Sequence, residues 1–150
     1  MIPRLFFNAI PMFNISVVYN LTRGSSYCAD VHFIWPECWC LYEGSDEDRL
    51  WLDELLQEFN KRIFGIQREW QVKNLTEFAF VVQPFTMYLV VPDLSYLSNL
   101  DCFHPSLLAN QKMAIAGWNS IITPASKKKH SFNPDDNVIC PTPDTLLYTY

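Results

Sequence analysis

The chain has 150 residues, a formal net charge of −5, 49% hydrophobic residues and 15% aromatic residues. This length suits one domain of about 100 to 200 residues, and so apolar a composition excludes disorder over most of the chain. The negative charge argues against a nucleic-acid partner, and we interpret the basic run at 127–130 as a solvated loop.

Five cysteines and three N-x-S/T sequons, which begin at Asn14, Asn20 and Asn74, indicate an oxidising and glycosylating compartment. The N-terminus nevertheless lacks the charged segment, uninterrupted apolar run and small-residue cleavage site of a signal peptide. No apolar run reaches the roughly 18 residues of a membrane span. We therefore expect part of a secreted or membrane-anchored protein whose N-terminal region is missing, and the odd cysteine count agrees with this expectation.

Residues 5–10 predict a short buried strand, because they are mostly apolar and are followed by Pro11. Residues 12–44 contain Pro, Gly, aromatic residues and cysteines without a clear period. They predict a long loop with one helical turn near Val17.

The cysteines in this segment allow either disulfides or a metal site. Cys38 and Cys40 are too close in sequence for a C-x-x-C metal knuckle, so disulfides are favoured. The weaker alternative is zinc, whose ligands are then Cys28, His32, Cys38 and Cys40.

A capping box formed by Ser45 and Asp48 predicts a helix over 45–66. Apolar residues follow at helical spacing, namely Leu52, Leu55, Leu56, Phe59 and Ile63. The polar residues between them predict a solvated face, comprising Asp53, Glu54, Gln57, Glu58 and Lys61. Ser45 is interpreted as the N-cap rather than as a nucleophile, because it does not lie on a turn from a strand into a helix.

Residues 78–82 are continuously apolar and predict a central strand that ends at Gln83 and Pro84. With the first strand and the helix over 45–66, this strand predicts a βαβ unit with parallel pairing and a right-handed crossover. Ligands of open parallel sheets bind beyond the carboxyl ends of the strands. The segment after Pro84 is therefore expected to lead to a binding site.

Residues 87–100 predict an irregular connection, and 107–122 predict a helix that Ser106 caps and Pro124 ends. From residue 125 onward the chain is polar and rich in proline. We hypothesise that a disulfide between Cys102 and Cys140 anchors this tail.

The strongest functional signal is Asp101 and His104 in the word Asp-x-x-His, on a turn that enters the last helix. An aspartate and a histidine on one turn can supply the acid and base members of a Ser-His-Asp hydrolase. A histidine in such a sequence is more often structural than catalytic. The residues around this word must therefore show which role fits His104. His32 and His130 have no such aspartate and are interpreted as non-catalytic.

The words DLSYLSNLDCFHPS and KMAIAGWNSIITP resemble the last block of the SGNH (GDSL) hydrolases, most closely their membrane-associated phospholipase B branch. The strand word EFAFVVQPF, the cysteine cluster at 28–40, the opening PRLFFNAIPMFNIS and the closing CPTPDTLLYTY extend the resemblance over nearly the whole chain. It covers only the C-terminal part of the family's domain.

The resemblance implies an α/β, flavodoxin-like three-layer fold with a parallel sheet that lacks its N-terminal strands. Residues 1–124 are then part of the hydrolase domain and 125–150 a Pro-rich tail. It also implies a lipid-ester hydrolase without cofactor or metal, with a lipid ester as substrate, a membrane surface as partner and Asp101 and His104 as catalytic residues.

The sequence departs from the family pattern because it contains no Gly-Asp-Ser block, no Gly-x-Asn-Asp word and no G-x-S-x-G elbow. In the family the first two carry the nucleophile and the oxyanion donors. The chain by itself is therefore predicted to be inactive. The alternatives are a non-catalytic secreted binding module derived from a hydrolase and, more weakly, a zinc-binding extracellular domain.

Overall fold

The computed structural model describes residues 4–35 and 37–149, so the predicted domain limits at residues 1 and 150 lie outside it. The described residues form two strands, five helices and two 3₁₀ turns, the latter at Leu94–Tyr96 and Ala125–Lys127. In chain order the strands and helices are β1 (Leu5–Ala9), α1 (Ser16–Thr22), α2 (Ser26–Ile34), α3 (Trp39–Tyr42), α4 (Asp46–Lys73), β2 (Phe78–Val82) and α5 (Leu107–Ile121).

The sheet of the described residues consists of β1 and β2, which pair in parallel from Leu5 opposite Phe78 to Ala9 opposite Val82. Both strands are apolar apart from Asn8. The prediction that the first strand is buried is wrong for most of β1, because Leu5 and Phe7 are exposed and only Ala9 is buried. Helix α4 lies between the two strands in sequence and packs on β2. This confirms the predicted mixed α/β fold with parallel pairing, and it brings the carboxyl ends of both strands to one edge.

Helix α4 begins with the predicted capping box, in which Ser45 Oγ accepts the Asp48 N–H and the Asp48 carboxylate accepts the Ser45 N–H. The helix is longer than predicted and ends at Lys73. No Gly or Pro interrupts residues 67–73, and Asn74 then adopts a left-handed conformation with φ of 46°. Asparagine tolerates this conformation better than most residues, which explains why the helix stops here.

The buried face of α4 is polar, so the prediction that Asp53 belongs to a solvated face is wrong. Asp53 accepts hydrogen bonds from the backbone N–H and the hydroxyl of Ser16. Asn60 is only 1% exposed and binds both the N–H and the carbonyl of Met12, each at 2.7 Å. These side chains satisfy the backbone of a segment that has no strand partner. Leu55 and Phe59, which belong to the predicted apolar face, are exposed.

The predicted long loop over residues 12–44 is wrong, because this segment also contains α2 and α3. The helical turn predicted near Val17 is confirmed by α1. These helices are short, and α2 exposes large apolar side chains at Phe33 and Ile34, so they leave no clear hydrophobic period. A cluster formed by Val18, Leu41 and Leu97 packs α1 and α3 against the segment before the Asp-x-x-His word.

Helix α5 forms as predicted, with Ser106 Oγ accepting the Ala109 N–H at 3.2 Å. Its Ala116 packs with Phe85, Leu89 and Phe132 in a second core cluster. Because Phe132 comes from the tail, the region after residue 124 contributes directly to the core.

The hypothesis of a Cys102–Cys140 disulfide is wrong, because Cys102 is bonded to Cys28 and Cys140 is a free thiol. Hydrogen bonds to α5 hold the tail instead. Trp118 Nε1–H donates to the Ile139 carbonyl, and the Asn119 side chain bonds both Asn137 and Ile139. These hydrogen bonds attach residues 137–139 of the tail to α5.

The basic run is also less solvated than predicted. Lys128 is partly buried and donates hydrogen bonds of 2.6 Å to Gln83 Oε1 and to the Ser120 carbonyl. Burial lowers the pKa of Lys128 to about 8. Gln83 also donates to Asn8, so a polar network joins β1, the end of β2 and α5.

Candidate active site

The loop over residues 98–106 closes on itself before it enters α5. Ser98 N–H donates to the His104 carbonyl at 2.7 Å, and Cys102 N–H donates to the Ser98 carbonyl at 2.9 Å. Leu97 forms an isolated antiparallel bridge with Pro105. These bonds restrain the backbone on both sides of Asp101 and His104, so the two side chains leave the same turn.

The structure brings the two sequence-predicted residues together. His104 Nδ1 lies 2.9 Å from Asp101 Oδ2, and Asp101 Oδ1 accepts the N–H groups of Phe103 and His104. A carboxylate only accepts hydrogen bonds, so Nδ1 carries the hydrogen and Nε2 of the neutral ring keeps its lone pair. The His104 side chain is 60% exposed and that of Asp101 is 14% exposed. The His104 ring is therefore accessible from solvent, and its catalytic role stays a prediction.

The surroundings of Asp101 favour its ionised form. Burial opposes ionisation, but hydrogen bonds from Phe103 and His104, together with the charge of His104, outweigh burial and lower the pKa of Asp101. The carboxylate is therefore ionised at neutral pH. It can both orient the imidazole and stabilise its protonated form.

Replacing His104 by alanine is expected to raise the pKa of Asp101, because the substitution removes a hydrogen bond and a positive charge that favour the carboxylate. The depressed pKa contributes stability above the ordinary pKa of aspartate. That contribution is lost as the pH falls through the folded-state pKa. The stability of His104→Ala should therefore decrease less steeply in acid than the stability of the wild type. Carboxyl-carbon NMR titration measures the shift. Asp93, whose pKa is lowered by Ser95, is the internal control and should not move.

An apolar cavity of about 490 Å³ lies next to His104, which is one of its lining residues. Ile10 and Pro11, directly after β1, and Thr86 and Leu89, after β2, line the same cavity. It thus lies beyond the carboxyl ends of the parallel strands, where ligands of such sheets bind. Further apolar lining comes from Met12, Phe13, Val91, Ala109, Met113 and Phe132.

Helix α2 holds the loop through three residues that the sequence did not indicate as part of the site. Tyr27 hydroxyl donates to the Asn99 carbonyl at 2.6 Å, Cys28 is bonded to Cys102, and His32 Nε2 lies 3.0 Å from the Asp101 carbonyl. These residues share one side of a helix, but that spacing has meaning only once the helix is known. The single sequence carries no local signal for these pairs.

The zinc set considered from the sequence does not form, because Cys28 is oxidised and His32 bonds the Asp101 carbonyl. Among the described residues, the ligand atoms of Glu37, Asp101 and His104 lie within 4.8 Å of one another. Both Asp101 oxygens already accept hydrogen bonds, so we assign no metal to this group. The hydroxyls of Ser45 and Ser106 serve as helix caps.

Within residues 4–35 and 37–149, no helix combines the length and the apolar character needed to cross a bilayer.

Comparison with curated proteins finds similarity over nearly the whole chain. The chain is 31% identical over 163 residues to "Phospholipase B1, membrane-associated" of Rattus norvegicus. The aligned region covers 99% of this chain and 11% of that protein. It is 29% identical over 160 residues to the Homo sapiens protein and 28% identical over 160 residues to the Mus musculus protein of the same name. The chain thus spans about a ninth of the length of these relatives. No protein-family model matches the chain, and no solved structure matches it significantly.

Proposed function

We propose, from the relationship of this chain to phospholipase B-like proteins, that it is the C-terminal part of a lipid-ester hydrolase of the SGNH type. In this proposal residues 1–124 belong to the three-layer hydrolase domain and 125–150 form its tail. The observation that carries the proposal is the hydrogen-bonded Asp101–His104 pair beside an apolar cavity at the carboxyl edge of the sheet.

In the proposed mechanism His104 is the general base and Asp101 its orienting partner. A serine hydroxyl attacks the acyl carbonyl while Nε2 takes its proton, and the resulting imidazolium is stabilised by the Asp101 carboxylate. The imidazolium then gives the proton to the leaving alcohol. A water molecule hydrolyses the acyl-serine by the same route, which releases a fatty acid. No Gly-Asp-Ser or G-x-S-x-G word supplies the serine within this chain, so the proposal places the nucleophile outside it.

The cavity supports a lipid rather than a small polar ester as substrate. Its lining is almost wholly apolar, and burial of an acyl chain there gains about 0.8 kcal/mol per CH₂ group. A membrane surface as partner is supported by Phe33, Ile34, Trp35 and Trp39, which are all highly exposed. Aromatic side chains of this kind partition into the interface of a bilayer.

Titration of the chain with lysophosphatidylcholine, which carries one acyl ester, tests the proposal. We expect one molecule to bind per chain and to shift the NMR signals of the His104 ring. Ala109→Phe puts a large side chain into the cavity wall and is expected to weaken binding about tenfold. Calorimetry measures the affinity.

The matched control is Leu107→Phe, which adds an aromatic ring to the exposed side of the same helix and should bind like the wild type. Absence of binding would contradict the proposed lipid site. Binding that leaves the His104 signals unchanged would instead favour the alternative of a non-catalytic lipid-binding module.

A further inference from the structure

Helix α2 contacts the loop on both sides of Asp101. Tyr27 bonds the carbonyl of Asn99, His32 bonds the carbonyl of Asp101, and Cys28 is covalently linked to Cys102. Three contacts therefore fall within four consecutive loop residues. The two hydrogen bonds go to backbone carbonyls and the third contact is a disulfide, so none of the three competes for the Asp101 carboxylate.

The hydrogen bond of His32 has a fixed direction. A carbonyl oxygen has no hydrogen to give, so His32 Nε2 must carry the hydrogen and donate it. The His32 ring also lies against Tyr42, with ring centroids 3.6 Å apart, and only 9% of the residue is exposed. Packing against Tyr42 therefore helps to hold the His32 ring in the orientation in which it donates to the loop.

The loop needs such support because Cys102 has a φ of 53°, in the left-handed region that non-glycine residues seldom adopt. A free loop would relax from this conformation and turn the peptide that follows Asp101. Since Asp101 Oδ1 accepts the N–H groups of Phe103 and His104, that rotation would also break the geometry between Oδ2 and His104 Nδ1.

We propose that α2 positions the Asp101–His104 pair through Tyr27 and His32, and that His32 holds the Asp101 backbone so that its carboxylate selects the Nδ1–H form of His104. This role rests on the proposed function, in which Nε2 of His104 must be free to accept a proton. It assigns no proton transfer to His32 itself.

The tautomer of His104 reports this role without any need for ester hydrolysis. Nitrogen-15 NMR of the full chain, at a pH where the ring is neutral, measures the ratio of the Nδ1–H form to the Nε2–H form. His32→Phe keeps a ring over Tyr42 but removes the donor, and it is expected to lower the ratio about fivefold, as the loss of one hydrogen bond implies. His32→Gln restores an N–H donor and should recover most of the ratio.

His130→Phe is the matched control, because His130 packs beside Tyr88 in another part of the chain. It should leave the His104 ratio unchanged. A His32→Phe protein with the wild-type ratio would overturn the proposal, as would a His32→Gln protein whose ratio is as low as that of His32→Phe. If His32→Phe does not fold, Tyr27→Phe replaces it; this variant loses only a partly exposed hydroxyl donor and should also lower the ratio. An unchanged ratio there would likewise overturn the proposal.

The lysophosphatidylcholine titration separates this inference from the function on which it rests. Wild-type chain that shows the Nδ1–H form but binds no lipid contradicts the proposed function alone. If the chain binds lipid but neither His32→Phe nor Tyr27→Phe changes the tautomer ratio of His104, only the positioning role is contradicted.

Discussion

Replacing both Cys28 and Cys102 by serine is expected to lower the free energy of unfolding by about 2–5 kcal/mol. The disulfide joins residues 74 positions apart, so its loss frees a long loop in the unfolded chain. In the folded chain the substitution also releases the left-handed backbone at Cys102 from its covalent partner. Urea unfolding of the oxidised protein and of the double variant measures the difference.

Cys140→Ser is the control for this experiment, because Cys140 is an exposed free thiol. It should change stability by no more than about 0.5 kcal/mol. Peptide mass mapping provides a second check and should recover Cys28 linked to Cys102. A stability loss from Cys140→Ser equal to that of the double variant would show that the tail carries the disulfide after all.

Asn60→Leu is expected to cost about 2–3 kcal/mol, although leucine has a similar size. The variant leaves the N–H and the carbonyl of Met12 without the amide that now binds both. Met12 also lines the apolar cavity, so a loosened segment should weaken binding of lysophosphatidylcholine as well. Thermal unfolding and the lipid titration measure the two effects.

Arg62→Leu tests whether the cost comes from the lost amide rather than from an extra leucine on α4. Arg62 is exposed on the same helix, so this variant should stay within about 0.5 kcal/mol of the wild type. An Asn60→Leu protein as stable as Arg62→Leu would mean that the two hydrogen bonds to Met12 contribute little.

The Asp101–His104 turn is the part of the candidate site that the local sequence predicts. Asp101 and His104 are three residues apart, so a single turn can bring their side chains within hydrogen-bond distance. The cavity beside them is different, because it combines residues from Ile10 to Phe132. No short stretch of sequence contains all of these lining residues.

The same contrast explains the errors in the predicted fold. A hydrophobic period identifies a helix by its buried apolar side, yet α4 buries Asp53 and Asn60 because a distant backbone segment needs hydrogen-bond partners. The partner of Cys102 is likewise decided by which helix packs against the loop, and α2 was not predicted.

By itself, the sequence determined the features that depend on neighbours within a few residues: the capping box at Ser45, the two apolar strands, the helix after Ser106 and the Asp101–His104 turn. Only the tertiary structure decided the disulfide partner, the polar face of α4 and the helix that supports the turn. The physical reason is that capping and strand propensity act over one turn of chain. Disulfide pairing and buried hydrogen bonds instead depend on contacts between residues that are 37 to 74 positions apart.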